Sequence, residues 1–172
     1  SRIGDEGVLA VVCDSTNVFE EQGSGSESLL GDTFDKIIAE TKGIVGVTTF
    51  ASNVARIQTA VEAAIRNDRH AVLIGRSLIR TVQVARATGY LSELPDFIAE
   101  KDVALLPRDK VLLICTGSQG EPRGALSRIS YGQNRNIEFK SGDTIIFSSK
   151  IIPGNEKAIG RLQNRLSMLG VD

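Results

Sequence analysis

The stretch from residue 111 to residue 129, VLLICTGSQGEPRGALSRI, decides the fold of this chain. Its first five residues are all apolar, which is typical of a strand covered on both faces of a sheet. A glycine-rich turn follows at Thr116 to Pro122, and Pro122 suits the first turn of a helix that carries Leu126 and Ile129. A buried strand that leads through a turn into a helix is the repeating unit of a parallel α/β sheet.

Outward from this stretch, short apolar runs alternate with segments of helical periodicity along the whole chain. The apolar runs predict strands at Val8 to Cys13, Ile44 to Phe50, Ala71 to Gly75, Val111 to Cys115 and Thr144 to Phe147. The residues expected to cap helices are Asp32, Ser52, Ser77 and Asn155. We therefore predict an α/β fold, with a mostly parallel five- or six-stranded sheet covered by helices on both faces, in which residues 1–172 form one domain.

Composition excludes several classes of protein. The chain has 172 residues, is 41% hydrophobic and 24% charged, and its 20 basic and 21 acidic residues leave a formal charge of -1, so it is not a polycation. No apolar run approaches the roughly 18 residues of a membrane span. Two cysteines and one histidine exclude a self-contained Cys/His zinc site. Cys13 and Cys115 each end an apolar run, which favours buried thiols in a reducing compartment.

Small polar residues follow every predicted strand. Because the carboxyl ends of parallel strands lie at one edge of the sheet, these residues predict a ligand crevice there. Hydroxyls, glycine backbone and helix N-termini suit an anion such as phosphate, and Arg76, Arg123 and Lys150 add positive charge. The alternative is that the serines and threonines only cap helices. The turn at Thr116 to Pro122 is neither a Walker A motif nor a GxGxxG motif, but it brings Ser118, Gln119 and backbone N–H groups to one helix start.

Asp14 follows the first predicted strand directly. A carboxylate in that position can be a metal ligand, a general base, the group that orients a catalytic histidine, or an ordinary cap of the next turn. The single histidine, His70, is expected at the amino end of its strand, away from the crevice, as a solvated residue. From spacing alone, the alternatives for Asp14 stay open.

Four strings resemble bacterial ribonuclease J in order and spacing, and the similarity covers essentially the whole chain. They are VVCDSTN (11–17), TTFASNVARIQ (48–58), TGSQGEPRGALSRI (116–129) and SSKIIPGNEKAIGRL (148–162). The resemblance implies the β-CASP domain, an α/β insertion in a metallo-β-lactamase-fold nuclease. Such an enzyme is expected to degrade RNA from a 5′-monophosphorylated end towards the 3′ end and also to cut internally. It uses two divalent metal ions, usually zinc, in the metallo-β-lactamase domain.

The resemblance also implies roles for individual residues. Asp14 matches an acidic motif that orients a histidine outside this chain, and Ser148 and Ser149 match the region that lines a pocket for the RNA 5′-phosphate. The turn residues expected near the RNA are Ser118, Gln119 and Gly120. The chain is accordingly expected to be a domain excised from a larger enzyme, to hold no metal ligand and to be inactive alone.

The implied partners are single-stranded RNA, preferably 5′-monophosphorylated, and the metallo-β-lactamase domain of the same protein. The parent is expected to be a cytoplasmic homodimer or homotetramer that does not bind membranes. Lys150 and Ile151 depart from the small residue and proline that are usual in the family. The alternative is a non-catalytic nucleotide- or phosphosugar-binding α/β module.

Overall fold

The computed structural model describes residues 2–12 and 27–172, and the second of these ranges contains a parallel sheet between two layers of helices. The helices are α1 (Arg2–Glu6), α2 (Glu27–Glu40), α3 (Val54–Arg66), α4 (Arg76–Ala87), α5 (Ala125–Ser130) and α6 (Glu156–Met168). Two 3-10 helices span Glu100–Leu105 and Arg108–Lys110. The strands are β1 (Val45–Thr48), β2 (His70–Ile74), β3 (Val111–Cys115) and β4 (Thr144–Phe147).

All strand pairs are parallel, in the order β2-β3-β1-β4. The register pairs Thr48 with Cys115 and Phe147, and pairs Ile74 with Cys115. The carboxyl ends of the four strands are therefore level with one another. The residues that follow the strands in the sequence therefore lie at one edge of the sheet.

Both faces of the sheet are buried, as the uniformly apolar strands predict. In β3, Leu112 and Ile114 face a cluster that includes α2, α3 and α4, whereas Leu113 and Cys115 face a second cluster with α5 and α6. Every β3 residue is fully buried. Burial raises the pKa of the Cys115 thiol to about 12, so the thiol stays protonated at neutral pH.

The described residues form four strands, fewer than the five or six predicted. The first predicted strand, Val8 to Cys13, is not a strand over residues 8–12, and Cys13 lies outside the described residues. The side chains of Val8, Leu9, Val11 and Val12 are largely exposed. An apolar run becomes a strand only where a neighbour supplies ladder hydrogen bonds, and neither β2 nor β4 pairs with residues 8–12.

Three of the four predicted helix caps are wrong at the described helices, and the fourth is correct only in position. α2 starts at Glu27, so Asp32 lies inside it. The cap of α3 is Asn53 rather than Ser52, and α4 begins after Gly75 with no side-chain cap. Asn155 does precede α6, but its side chain makes no capping hydrogen bond. Propensity identifies residue types that cap helices, whereas the chain path selects which of several neighbouring candidates does so.

Two buried charged residues hold the amino edge of the sheet. The Asp143 carboxylate, which is fully buried, accepts hydrogen bonds from Ile44 N (2.8 Å), Lys140 N (2.8 Å) and the Arg108 guanidinium. The Arg69 guanidinium donates to four carbonyl oxygens, those of Gly43 (2.7 Å), Ile38 (3.1 Å), Val111 (3.2 Å) and Thr41. Burial lowers the pKa of Arg69. These contacts join the end of α2 to the starts of β1, β3 and β4.

Candidate functional site

Four of the five polar strand ends predicted from the sequence meet at the carboxyl edge of the sheet. Thr49 continues β1, Arg76 and Ser77 follow β2, Thr116 follows β3, and Ser148 follows β4. The fifth, which begins at Asp14, lies outside the described residues. His70, as expected, is an exposed residue at the opposite, amino end of β2.

Ser148 is fixed at this edge by the arginine of the neighbouring helix. Its backbone N–H donates to Thr48 O (2.9 Å), which extends the β4–β1 pairing by one residue. The Arg56 guanidinium donates from Nη1 to Ser148 Oγ (2.5 Å) and to Ser148 O (2.9 Å). Arg56 is itself positioned in the first turn of α3, where its N–H donates to the Asn53 Oδ1 cap (3.0 Å). Ser148 is therefore a buried hydroxyl that already carries a positive partner.

Sequence reasoning missed Arg56 and Asn53. The signal was present, since an Asn three residues before a helical residue is a capping pattern. What the sequence could not provide is the pairing of Arg56 with Ser148, because the two residues are far apart in the chain and meet only through the β1–β4 pairing.

The side-chain amide of Gln119 joins the turn after β3 to the loop after β4. Its Nε2 donates to Ser149 Oγ (3.1 Å) and Lys150 O (3.0 Å), and its Oε1 accepts from Ile152 N (2.9 Å) and Asn155 Nδ2 (3.3 Å). Gln119 is buried, and these four bonds use both amide protons and the carbonyl oxygen. The amide thus shapes the loop of residues 148–155. The prediction that Gln119 contacts RNA stays a prediction.

The glycines of the turn are required by close packing. Gly120 has φ +74°, and a Cβ there would stand 2.5 Å from the carbonyl carbon of Ala158 and 2.7 Å from Ile159 N. The turn after β3 therefore lies directly against the backbone of α6. Glu121 closes the turn, since its carboxylate accepts from Gln119 N (2.9 Å).

Two hydroxyls just beyond the strand ends are buried without a hydrogen-bond partner in the part of the chain that the structure describes. They are Thr49 Oγ1 and Ser118 Oγ. Ser118, predicted from the sequence as a phosphate contact, is only 2% exposed. A buried hydroxyl without a hydrogen-bond partner lowers the stability of the fold. Both hydroxyls can therefore accept or donate a further hydrogen bond at the edge of the sheet.

A cavity of about 450 Å³ opens beside Ser148 and Ser149. Arg56 and Lys150 contribute positive charge to its lining, and Phe50 and Phe147 contribute aromatic surface. Lys150 is exposed, whereas Ser148 is buried and Ser149 half-buried. Cations and hydroxyls beside aromatic side chains are the groups that a phosphate attached to a planar base requires.

Among the side chains that the structure describes, no three His, Cys, Asp or Glu residues gather closely enough to hold a metal ion. Within residues 2–12 and 27–172, no helix has both the length and the apolar character that a bilayer crossing requires.

The chain is similar in sequence to known proteins of one family. A family model described as "Ribonuclease J, beta-CASP domain" matches residues 42–166. The chain is 51% identical to Ribonuclease J of Sinorhizobium meliloti over 170 residues, and 45% identical to Ribonuclease J of Mycolicibacterium smegmatis over 174 residues; each match covers 99% of this chain. Ribonuclease J of Thermus thermophilus is 38% identical over 170 residues. The chain spans 30% of the length of the first of these relatives and 31% of the second. From the family model and these identities, the chain belongs to the ribonuclease J family, of which it represents the β-CASP domain.

Proposed function

We propose that this chain forms one wall of the RNA-binding channel of a metal-dependent ribonuclease, and that the cavity beside Ser148 receives the 5′-phosphate of single-stranded RNA. The observation that carries the proposal is the Arg56–Ser148 pair next to the open cavity. Arg56 reaches the end of β4 from α3, so the strand end has a fixed cation as well as hydroxyls. Fixed guanidinium and hydroxyl groups recognise phosphate in proteins.

The loop of residues 148–155 is held in place before any ligand binds. Gln119 makes four hydrogen bonds to it, and Gly120 lets α6 approach the turn. A binding loop that is already ordered loses little conformational entropy on binding. In the proposed function, Gln119 and Gly120 act as positioning residues, and Ser149 and Lys150 contact the phosphate.

The reaction chemistry is proposed to belong to other parts of the parent protein. Two divalent metal ions, zinc by family expectation, would activate the attacking water there. The residues of this chain would bind the RNA end, orient it and fix which phosphodiester bond is presented. We further propose that the parent degrades RNA from the 5′ end and also cuts internally, that the metallo-β-lactamase domain completes the channel, and that the parent is a homodimer or homotetramer.

We also propose that the parent acts in the cytoplasm. The Cys115 thiol is unpaired and buried, which suits a reducing compartment. Asp14, which lies outside the described residues, is proposed to orient a histidine outside this chain.

Binding of a short single-stranded RNA with a 5′-monophosphate or a 5′-hydroxyl end tests the proposal. Fluorescence anisotropy at two salt concentrations should show tighter binding of the phosphorylated end, and the preference should fall with salt. Arg56→Gln should abolish the preference. The matched control is Arg161→Gln, an exposed arginine on α6 outside the cavity. Equal binding of the two RNAs by the unmodified chain, or an unchanged preference in Arg56→Gln, would overturn the proposal.

A further inference from the structure

A second cavity lies at the same edge of the sheet, beyond the carboxyl ends of β2 and β3. Its volume is about 500 Å³, and Gly75 and Thr116, which directly follow the two strands, contribute to its lining. It shares no lining residue with the cavity beside Ser148. The two cavities are therefore separate features of one edge.

Three arginines from different elements line this second cavity. Arg76 begins α4, Arg123 lies in the turn after β3, and Arg128 lies on α5. Among the described residues, none of the three has an ion pair or a side-chain hydrogen bond. Some other arginines of the chain are engaged; Arg66 and Arg86, for example, each pair with an aspartate.

The cavity also contains one acidic side chain. Glu100 accepts hydrogen bonds from Asn134 Nδ2 (2.8 Å) and Asn136 Nδ2 (3.4 Å), so it is partly neutralised by amide donors rather than by an arginine. Three guanidinium groups against one carboxylate leave an excess of two positive charges. No partner among the described residues balances this positive charge, and an anionic ligand is therefore favoured.

The start of α4 adds backbone donors to the arginines. Gly75 precedes the helix without a side-chain cap, so the first N–H groups of α4 are not used by a capping side chain. Gly75 has φ +122°, and a Cβ there would stand 2.8 Å from Thr116 Oγ1. Glycine thus allows the helix start and the end of β3 to approach closely at the floor of the cavity.

We propose that this cavity binds the phosphate of a nucleotide, either a free nucleotide or one within an RNA strand. Guanidinium groups and helix N–H donors provide the phosphate contacts, and the volume suits a ligand of nucleotide size. Ile79, an exposed side chain in the lining of the same cavity, offers apolar surface for the base. The proposal uses none of the residues of the first cavity, so binding of a free nucleotide is independent of the proposed function, whereas binding of a nucleotide within RNA rests on it.

Calorimetric titration of the 172-residue chain with AMP and with adenosine tests the site. AMP should bind and adenosine should not. Arg76→Gln and Arg128→Gln should each weaken AMP binding about tenfold or more, because charge-assisted hydrogen bonds are the stronger class. Arg161→Gln, which removes an exposed arginine outside both cavities, should leave binding unchanged. Since the arginines of the second cavity have no partners among the described residues, their replacement should leave the urea unfolding midpoint unchanged.

The remaining outcomes separate the sources of the phosphate. If AMP fails to bind but a 5′-hydroxyl pentaadenylate binds and is weakened by Arg76→Gln, the ligand is an internal nucleotide of RNA. If AMP binding is lost in Arg56→Gln and kept in Arg76→Gln, the nucleotide occupies the first cavity and the proposal is wrong. Failure of both AMP and pentaadenylate to bind, or binding insensitive to Arg76 and Arg128, would overturn it as well.

Discussion

Replacing Gly120 by alanine should test whether the turn after β3 is held against α6. Gly120 has φ +74°, and the added Cβ would lie 2.5 Å from the carbonyl carbon of Ala158. Left-handed backbone costs a residue with a Cβ about 1–2 kcal/mol. Overpacking against an atom that cannot move aside costs about 1–3 kcal/mol more. Since the contact is with helix backbone, we expect both costs, roughly 2–5 kcal/mol in all.

Two other glycines separate these contributions. Gly132 has φ +67° and nothing within 4 Å of an added Cβ, so Gly132→Ala should lose only the conformational part, about 1–2 kcal/mol. Gly160 lies within α6 with open space around it, so Gly160→Ala should stabilise the chain by up to about 1 kcal/mol. Urea unfolding followed by circular dichroism gives the free energy of unfolding of each variant.

The reasoning fails if Gly120→Ala costs no more than Gly132→Ala. That result would mean that α6 moves away from the turn without loss, so the close approach contributes nothing to stability. A loss in Gly120→Ala should also weaken any preference for a 5′-phosphate, because α6 and the loop of residues 148–155 are joined to the turn through Gln119.

Three further changes have definite expected outcomes. Arg69→Met should lower the free energy of unfolding by about 3 kcal/mol or more, measured in urea, because it leaves buried carbonyls without donors; a loss under about 1 kcal/mol would contradict this role. Cys115 has a folded pKa of about 12 against 9.0 for the free thiol, so its contribution to stability is complete below pH 9 and is lost as pH rises towards 12. Between pH 8 and pH 10 the free energy of unfolding should therefore fall by about 1.4 kcal/mol more than it does in Cys115→Ala, and an equal fall in the two proteins would refute this. In the full-length protein, Asp14→Ala should lower kcat with little change in bound metal measured by atomic absorption; loss of metal would identify Asp14 as a ligand.

Part of the candidate site could be predicted from the sequence. The polar residues after the strands were expected at one edge, and the register of Thr48, Cys115 and Phe147 confirms this for the described strands. Ser148 and Ser149 do lie beside a cavity. Arg56 was missed because its function depends on a partner distant in the chain. The hydrogen bonds of the Gln119 amide are within the chain, and its place near the RNA stays a prediction.

The apolar runs along the chain indicated the fold class, and four sequence strings carried the resemblance to the family. Uniformly apolar runs of four or five residues favour burial on both faces, which a parallel sheet between helices provides. The tertiary structure alone decided the number of paired strands, since residues 8–12 have the composition of a strand and no neighbour among the described strands. It also decided which polar side chains bond within the chain, as Gln119 does, and which line a cavity without a partner among the described residues, as Arg76 and Arg128 do. The physical reason is that a hydrogen bond or an ion pair depends on distances between residues far apart in sequence, which composition and periodicity do not specify.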